Sequence, residues 1–299
     1  AVIGIEGLHY EGPLYRPPSE AESLILQATI GCSYNECTFC GMYRGKRFRV
    51  RKLAELEAEI ESVRAAAQDQ VQKVFLADGD ALMAKASHLA ALLERLRAAF
   101  PRLRRVSCYA SPQSLQVRSV EELAALRELG LTLYYLGIES GHDEVLARLV
   151  KGVDAAEMVR VALKAHAAGA RLSTMVLLGA GGRALSEAHA RASARVVNAI
   201  QPRFVSTLVM TPVEQTPLWE EDRRGRFERL GPLELARELR TFLAGLELSA
   251  AIFRSNHASN YLALGGTLPK DRQALLAALD RVLADPAAAR FRPEPLRGL

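Results

Sequence analysis

The sequence predicts an α/β fold: a partial, TIM-like barrel of six βα units over residues 24–212, followed by a short C-terminal α/β extension. Three observations lead there. Apolar runs of strand length alternate with helical Ala/Leu/Glu/Arg stretches, the pattern of parallel βαβ units. The runs are apolar on both faces, as strands buried between two layers must be. Polar and glycine-rich signals fall at the carboxyl ends of successive runs, where barrels build their sites, whereas an open doubly wound sheet would gather them at one switch point.

In order, strands are expected at 24–30 (LILQATI), 72–77 (QKVFLA), 104–110 (RRVSCYA), 131–138 (LTLYYLGI), 170–178 (ARLSTMVLL) and 203–210 (RFVSTLVM). Helices are expected at 52–68, 86–99, 119–129, 154–168 and 184–200. Ser119 with Glu122 reads as a capping box, and Asp154 with Glu157 as a similar start. Gly130 and Gly169 stand just past helix ends, where a left-handed residue is wanted. After residue 212, TPVEQTPLWEEDRRG reads as a polar connection, 232–246 as a helix, AIFRSNHASNYLAL as a strand-like segment with a polar finish, and 269–285 as a helix. The Pro/Arg-rich tail is expected to wrap the surface or fray. Residues 1–23 are an extension, 24–212 the barrel core, and 213–299 a cap and tail packed on the same domain.

Composition narrows the function. Half of the 299 residues are hydrophobic (49%), enough for a sizeable core without staples. The opening AVIGIEGLHYEG has neither a basic nor an apolar leader region, and no uncharged apolar run approaches the ~18 residues of a membrane span. A cytoplasmic location with no membrane contact is expected. The net charge of +5 sits largely in Arg44–Lys52 and in Arg102, Arg104 and Arg105, which permits nucleic acid without requiring it.

Three of the four cysteines, Cys32, Cys37 and Cys40, fall in one nine-residue stretch with the spacing C-x4-C-x2-C. Such a cluster in a cysteine-poor chain points to a metal rather than a disulfide framework. A closed zinc site needs four ligands, and neither His9 nor His88 is spaced to supply one. Cys108, inside an apolar run, reads as a small buried hydrophobe. Three thiolates suit a [4Fe–4S] cluster with one iron left open; zinc and three unrelated cysteines are the alternatives.

This loop resembles that of the radical S-adenosylmethionine (radical SAM) enzymes, which carry C-x3-C-x-aromatic-C after the first strand of a partial barrel. This chain has one more residue between its first two cysteines, and Phe39 stands at the aromatic position. The resemblance implies a [4Fe–4S] cluster on Cys32, Cys37 and Cys40, with Phe39 beside the adenine of S-adenosylmethionine (SAM). FLADGDAL resembles the turn that receives the methionine ammonium, implying Asp78, Gly79 and Asp80. LGIESG resembles the ribose-binding segment, implying Glu139 and Ser140. LARLVKGVDAAE resembles the segment holding the methionine carboxylate, implying Lys151, with Arg148 second. LLGAGG offers a close-approach turn for the adenine. The family's chemistry is reductive cleavage of SAM to a 5′-deoxyadenosyl radical that abstracts hydrogen from a substrate, fed by an external electron donor of flavodoxin or ferredoxin type.

Substrate candidates are Tyr43, Arg44 and Arg47 just past the cysteines, Tyr109 at a strand end, and Asn256, His257, Asn260 and Tyr261, which a helix would place on one face. No catalytic residue beyond the cluster is assigned. His88, His166 and His189 read as surface or interhelix residues. No second cysteine group is present for an auxiliary cluster. The expected function is a radical SAM enzyme acting on a small or medium metabolite. The alternatives are RNA modification, which the basic run permits but does not favour, and a non-enzymatic iron–sulfur or metal-binding barrel.

Overall fold

The computed structural model describes residues 7–298, so the first six residues of the expected N-terminal extension and leader-free start lie outside the described residues, as does Leu299. The chain divides into two compact units, Ala1–Asn35, Met42–Leu136 and Val161–Leu172 in the first, Glu36–Gly41, Gly137–Arg160 and Ser173–Leu299 in the second.

In the first unit, β1 (Leu24–Gln27) is followed by β2 (Thr29–Ile30), which pairs antiparallel with β3 (Arg49–Val50). Helix α1 (Leu53–Ala67) leads to β4 (Lys73–Ala77), α2 (Ala86–Ala99) to β5 (Arg105–Ala110), and α3 (Pro112–Val117) with α4 (Val120–Glu128) to β6 (Leu131–Glu139). The strands β1, β4, β5 and β6 pair in parallel in that order, with Leu24 opposite Val74, Val74 opposite Val106 and Cys108 opposite Tyr134. Strand β1 is buried at every position, because helical crossovers cover parallel strands on both sides. Helix α2 buries Leu89, Leu92, Leu93 and Leu96, the i, i+3, i+4, i+7 stripe of a core-facing helix. Emptying one such leucine to alanine costs about 2–5 kcal/mol.

In the second unit, α5 (Asp143–Arg148) follows the end of β6, and α6 (Ala155–Ala167) begins here and ends in the first. Then come β7 (Arg171–Leu178), α7 (Gly182–Ile200), β8 (Phe204–Val209), α8 (Pro217–Arg223), α9 (Pro232–Ala244), β9 (Ala251–Ser255), β10 (Leu264–Leu268) and α10 (Arg272–Ala284). Strands β7, β8 and β9 pair in parallel, and β10 returns antiparallel on β9. Helix α9 packs against both α7 and α10.

Each of the six expected strands forms within a few residues of its expected ends. The Ser119–Glu122 capping box is made in both directions, and Asp154 caps the Glu157 amide at 2.8 Å. Gly130 and Gly169 both have positive φ, at 106° and 76°. One local expectation is corrected. The polar connection contains α8, whose Thr216 side chain accepts from the Trp219 amide with Pro217 at the first helical position. After β5, Ser111 and Pro112 open α3, closed by a Ser111–Ser114 capping box. The strand-like segment forms β9, and residues 256–261 after it form turns, so the one face that a helix would give them is absent.

Candidate functional site

In the first unit, the end of β4 is stitched to the start of the cysteine loop. The Gly79 amide donates to the Gly31 carbonyl at 3.1 Å, and the Gly31 amide donates to Asp78 Oδ2 at 2.9 Å. Lys46 Nζ reaches the same oxygen at 2.9 Å. Asp78 is fully buried, and its Oδ1 has no hydrogen-bond partner among the described residues. A Cβ on Gly79 would lie 2.9 Å from Cys32 Cβ and 2.7 Å from a Tyr43 ring carbon. Glycine is therefore needed here to seat the loop.

Asp80 faces Ser33 and Ser111, whose hydroxyls each donate to its Oδ2 at 2.6 Å. Burial pushes its carboxyl above the usual range, while hydrogen bonds from Ser111, Ser33 and Ser114 pull it back. Asp80 thus ties the residue after Cys32 to the exit of β5. Tyr43 is buried and meets Tyr15 edge-on at 5.7 Å. Arg44 and Arg47 are exposed. Tyr109 is half-buried, edge-on to Phe75 at 5.1 Å.

Three of the six basic residues of the run at 44–52 are held in ion pairs. Lys46 pairs with Asp78, Arg49 with Glu11, and buried Arg51 with Glu59 at 2.7 Å. In the second run, Arg105 pairs with buried Glu20 at 2.7 Å.

In the second unit, the rest of the cysteine loop is pinned from two sides. The Thr38 amide donates to the Leu149 carbonyl and its hydroxyl to the Arg148 carbonyl, both at 3.0 Å. The Leu218 amide of α8 donates to the Thr38 carbonyl at 3.0 Å. Phe39 packs on an apolar cluster that includes Val145, Leu149, Leu177, Met210 and Leu218. The unforeseen helix α8 thereby supports the loop, and the Thr-Pro pair at 216–217 is the sequence signal for it.

Glu139 ends β6 with φ +64°, inside a tight turn in which the Ser140 amide donates to the Ile138 carbonyl at 2.8 Å. Its Oε1 accepts from Lys151 Nζ at 2.9 Å, and both side chains are about nine-tenths buried. A Cβ on Gly137 would lie 2.0 Å from that same Oε1, so the pair occupies space only glycine leaves. Arg148 turns to Glu144 and the Gly181 carbonyl.

Of the cap residues, Asn256 is exposed and His257 half-buried. His257 Nδ1 accepts from the Ser259 amide at 3.1 Å, and burial, then Arg292, lowers its pKa. Asn260 is buried, accepting from the Val209 amide at 2.8 Å and donating to the Thr207 carbonyl at 2.7 Å. Tyr261 is hydrogen-bonded to Glu294 and Arg297 of the tail. These side chains brace the exit of β8 and the tail.

The sequence reading missed one buried polar group of this unit. His189, read as a surface or interhelix residue, is fully buried and sits with Ser140, Ser193 and Glu238. The available signal is Ser186, His189 and Ser193 at i, i+3, i+7 in an otherwise alanine-rich helix.

The residues present fit a thiolate-held cluster. The four cysteines form no disulfide, and Cys32, Cys37 and Cys40 are each partly exposed on a loop fixed by backbone hydrogen bonds. Soft sulfur donors in this number suit iron–sulfur chemistry. Among the described residues no three His, Cys, Asp or Glu side chains are grouped to hold a single metal ion. No described helix is long and apolar enough to cross a membrane.

A family model described as the radical SAM superfamily matches residues 26–187. Comparison with curated proteins finds no match. Among solved structures, methylornithine synthase superposes with TM-score 0.54 at 16% identity, over 91% of this chain and 74% of that one. A radical SAM methyltransferase from Kitasatospora setae, solved with cobalamin and a [4Fe–4S] cluster, superposes with TM-score 0.53 at 21% identity, over 66% of this chain and 38% of that one. Coproporphyrinogen III oxidase from Escherichia coli, described as a radical SAM enzyme, gives TM-score 0.54 at 16% identity, over 74% of this chain and 52% of that one. These likenesses carry the fold: the expected α/β, TIM-like partial barrel.

Proposed function

The chain belongs to the radical SAM superfamily, with a [4Fe–4S] cluster and SAM as its cofactors, and from that premise we propose that it is an enzyme abstracting hydrogen from a small or medium metabolite. The observation that carries the reading is the three-cysteine loop after the first strand, fixed to the strand-end turn at Asp78–Gly79 and to α5 and α8. When bound, the cluster and SAM supply one-electron cleavage to a 5′-deoxyadenosyl radical.

Cys32, Cys37 and Cys40 hold the cluster in this reading. Asp78 offers the ammonium of SAM an acceptor, since Oδ2 is committed to Gly31 and Lys46 while Oδ1 is not. Asp80 keeps Ser33, next to Cys32, in place. Glu139 is an acceptor for the ribose diol and Lys151 a donor for the methionine carboxylate. Their mutual ion pair keeps both charges satisfied until a ligand takes over one or both. Phe39 presents an apolar face that excludes water from the thiolates' neighbourhood. Ser140 has its hydroxyl committed to His189.

Electrons come from an external one-electron donor of flavodoxin or ferredoxin type. Tyr43, Arg47, Tyr109, Asn256 and His257 stay as candidates for substrate contact. The ion pairs of Lys46, Arg49, Arg51 and Arg105 leave less free positive charge for an RNA backbone, which favours a metabolite substrate.

Anaerobic reconstitution is expected to give a brown protein with about four irons per chain. With dithionite and SAM it is expected to release 5′-deoxyadenosine. Iron incorporation without deoxyadenosine under any reductant would leave a non-enzymatic cluster carrier instead.

A further inference from the structure

Beneath the turn that carries Glu139 lies a hydrogen-bonded chain of side chains that runs from Ser140 to α7 and α9. His189 of α7 and Ser140 are fully buried, and Glu238 of α9 is 2% exposed. His189 Nε2 lies 3.0 Å from the Leu177 carbonyl. A carbonyl can only accept, so Nε2 carries a proton; burial lowers the His189 pKa to about 4, so the ring is neutral and Nδ1 is an acceptor. Ser140 Oγ, 2.7 Å from Nδ1, therefore donates to it. The same Oγ accepts from the His142 amide at 3.0 Å. The neighbouring amide, Gly141, donates to Ser193 Oγ at 2.9 Å, and Ser193 Oγ itself lies 3.4 Å from His189 Nδ1.

The turn held this way is strained. Glu139 sits at φ +64°, a conformation a non-glycine residue keeps only when its surroundings over-determine it. Ser140 and Gly141, next along the chain, are each anchored to α7, through His189 and Ser193. Gly141 is pressed onto α7 so closely that a Cβ would lie 2.2 Å from the Ala192 carbonyl.

We propose that His189 is a positioning residue for SAM binding: its neutral imidazole orients Ser140, and with Ser193 fixes the strained turn that aims the Glu139 carboxylate at Lys151. This rests on the reading of Glu139 and Lys151 as SAM contacts. Glu238 sits behind the imidazole, its Oε1 3.6 Å from Nε2 while accepting from the Gly179 amide at 2.6 Å, so the group also reaches the turn after β7. Protonation of Nδ1 would reverse its hydrogen bond with Ser140, turning the hydroxyl from donor to acceptor.

The test uses the full chain with its cluster reconstituted anaerobically and SAM as the probe. Equilibrium affinity is read beside iron content, Tm and amide hydrogen exchange over residues 137–151 without SAM. His189→Leu conserves volume but removes the acceptor. It is expected to weaken SAM binding about tenfold or more and to speed exchange at 139–142, with iron content unchanged. His189→Asn places an amide oxygen near the position of Nδ1 and is expected to bind SAM more tightly than His189→Leu. A packing role predicts the opposite order, since leucine is the better buried residue. Ser140→Ala is expected to reproduce the His189→Leu signature, and the double variant to be no worse than either single one.

Affinity for His189→Leu equal to or better than for His189→Asn overturns the proposal. Should His189→Leu fail to fold, Ser140→Ala and Ser193→Ala carry the same readout, and unchanged exchange at 139–142 in both overturns it. Glu139→Gln separates this idea from its premise. If Glu139→Gln binds SAM normally, the assignment of Glu139 is wrong. If it binds poorly while Ser140→Ala and His189→Leu bind well, the positioning role alone fails.

Discussion

Lys46 and Asp78 meet at 2.9 Å, with Asp78 fully buried and Lys46 nearly so, and the bond ties the residues just past the cysteines to the end of β4. Removing one partner of a buried pair strands the other charge, at a cost of about 3–5 kcal/mol. Lys46→Met is expected to lower stability by that order in urea unfolding. The double variant Lys46→Met/Asp78→Asn is expected to recover much of the loss. A Lys46→Met protein as stable as the parent would show that Asp78 is solvated rather than buried.

Gly79→Ala is expected to deplete the cluster before it unfolds the protein. The added methyl would meet Cys32 Cβ and the Tyr43 ring inside contact distance, so the loop must move. Overpacking of this kind costs about 1–3 kcal/mol, which a chain of this size survives. Iron per chain after reconstitution, compared with Tm, is the measurement. Full iron loading in Gly79→Ala would show that the loop yields at no cost to its ligands.

Glu139→Gln and Lys151→Met are each expected to weaken SAM binding while leaving iron content as in the parent. The Glu139→Gln/Lys151→Met double variant should bind no more weakly than the sum of the singles, since each also frees the other from their ion pair. Isothermal titration against the reconstituted protein reads this directly. Loss of iron in either variant would move these residues from ligand contact to loop support.

Stability is expected to respond to pH through Glu238 and His189. Burial pushes the Glu238 carboxyl up to about 7, against hydrogen bonds from Ser186 and Gly179, and His189 faces it from α7. Its contribution is present below the unfolded value near 4.5 and is lost as pH rises through 7. Burial pushes His189 down to about 4, against the Leu177 hydrogen bond and with the charge of His142, so its contribution is present above 6.5 and lost as pH falls toward 4. The two slopes oppose each other across mildly acid pH. Glu238→Gln removes only the first, so its stability relative to the parent is expected to improve by about 2.5 kcal/mol from pH 5 to pH 8. Parallel urea-denaturation curves at the two pH values would refute this.

The strands and long helices were legible because their signals are local. Burial on both faces leaves a continuous apolar run, and Ser119 and Asp154 announce their helices with side chains a few residues away. The three cysteines stand out as a candidate ligand set for the same reason, being neighbours in sequence. The illegible features depend on partners far along the chain. Helix α8 is one short, polar turn-rich stretch until the Leu218 amide finds Thr38, some 180 positions earlier. The basic run looks like a binding face until Lys46 finds Asp78, Arg49 finds Glu11 and Arg51 finds Glu59. His189 looks like any helical histidine until β6 delivers Ser140. Spacing alone suggests a helical face for Asn256 and His257, and Ser259, Asn260 and the tail arginines instead draw that stretch into turns.

The stretch between Cys32 and Cys37 makes a turn of its own in the backbone. Asn35 takes φ +50° there, a left-handed step that asparagine adopts readily, and its side-chain amide donates to the Tyr43 carbonyl at 3.0 Å. Ser33 is already fixed to Asp80 before that step, and Thr38 to Leu149 after it. The span between those two anchors is itself held at Asn35, so a change in its length would shift Cys37 rather than be absorbed as slack. The distance along the chain from Cys32 to Cys37 is therefore set by Ser33, Asn35 and Thr38 together, and the spacing of the thiols is part of how the loop is held.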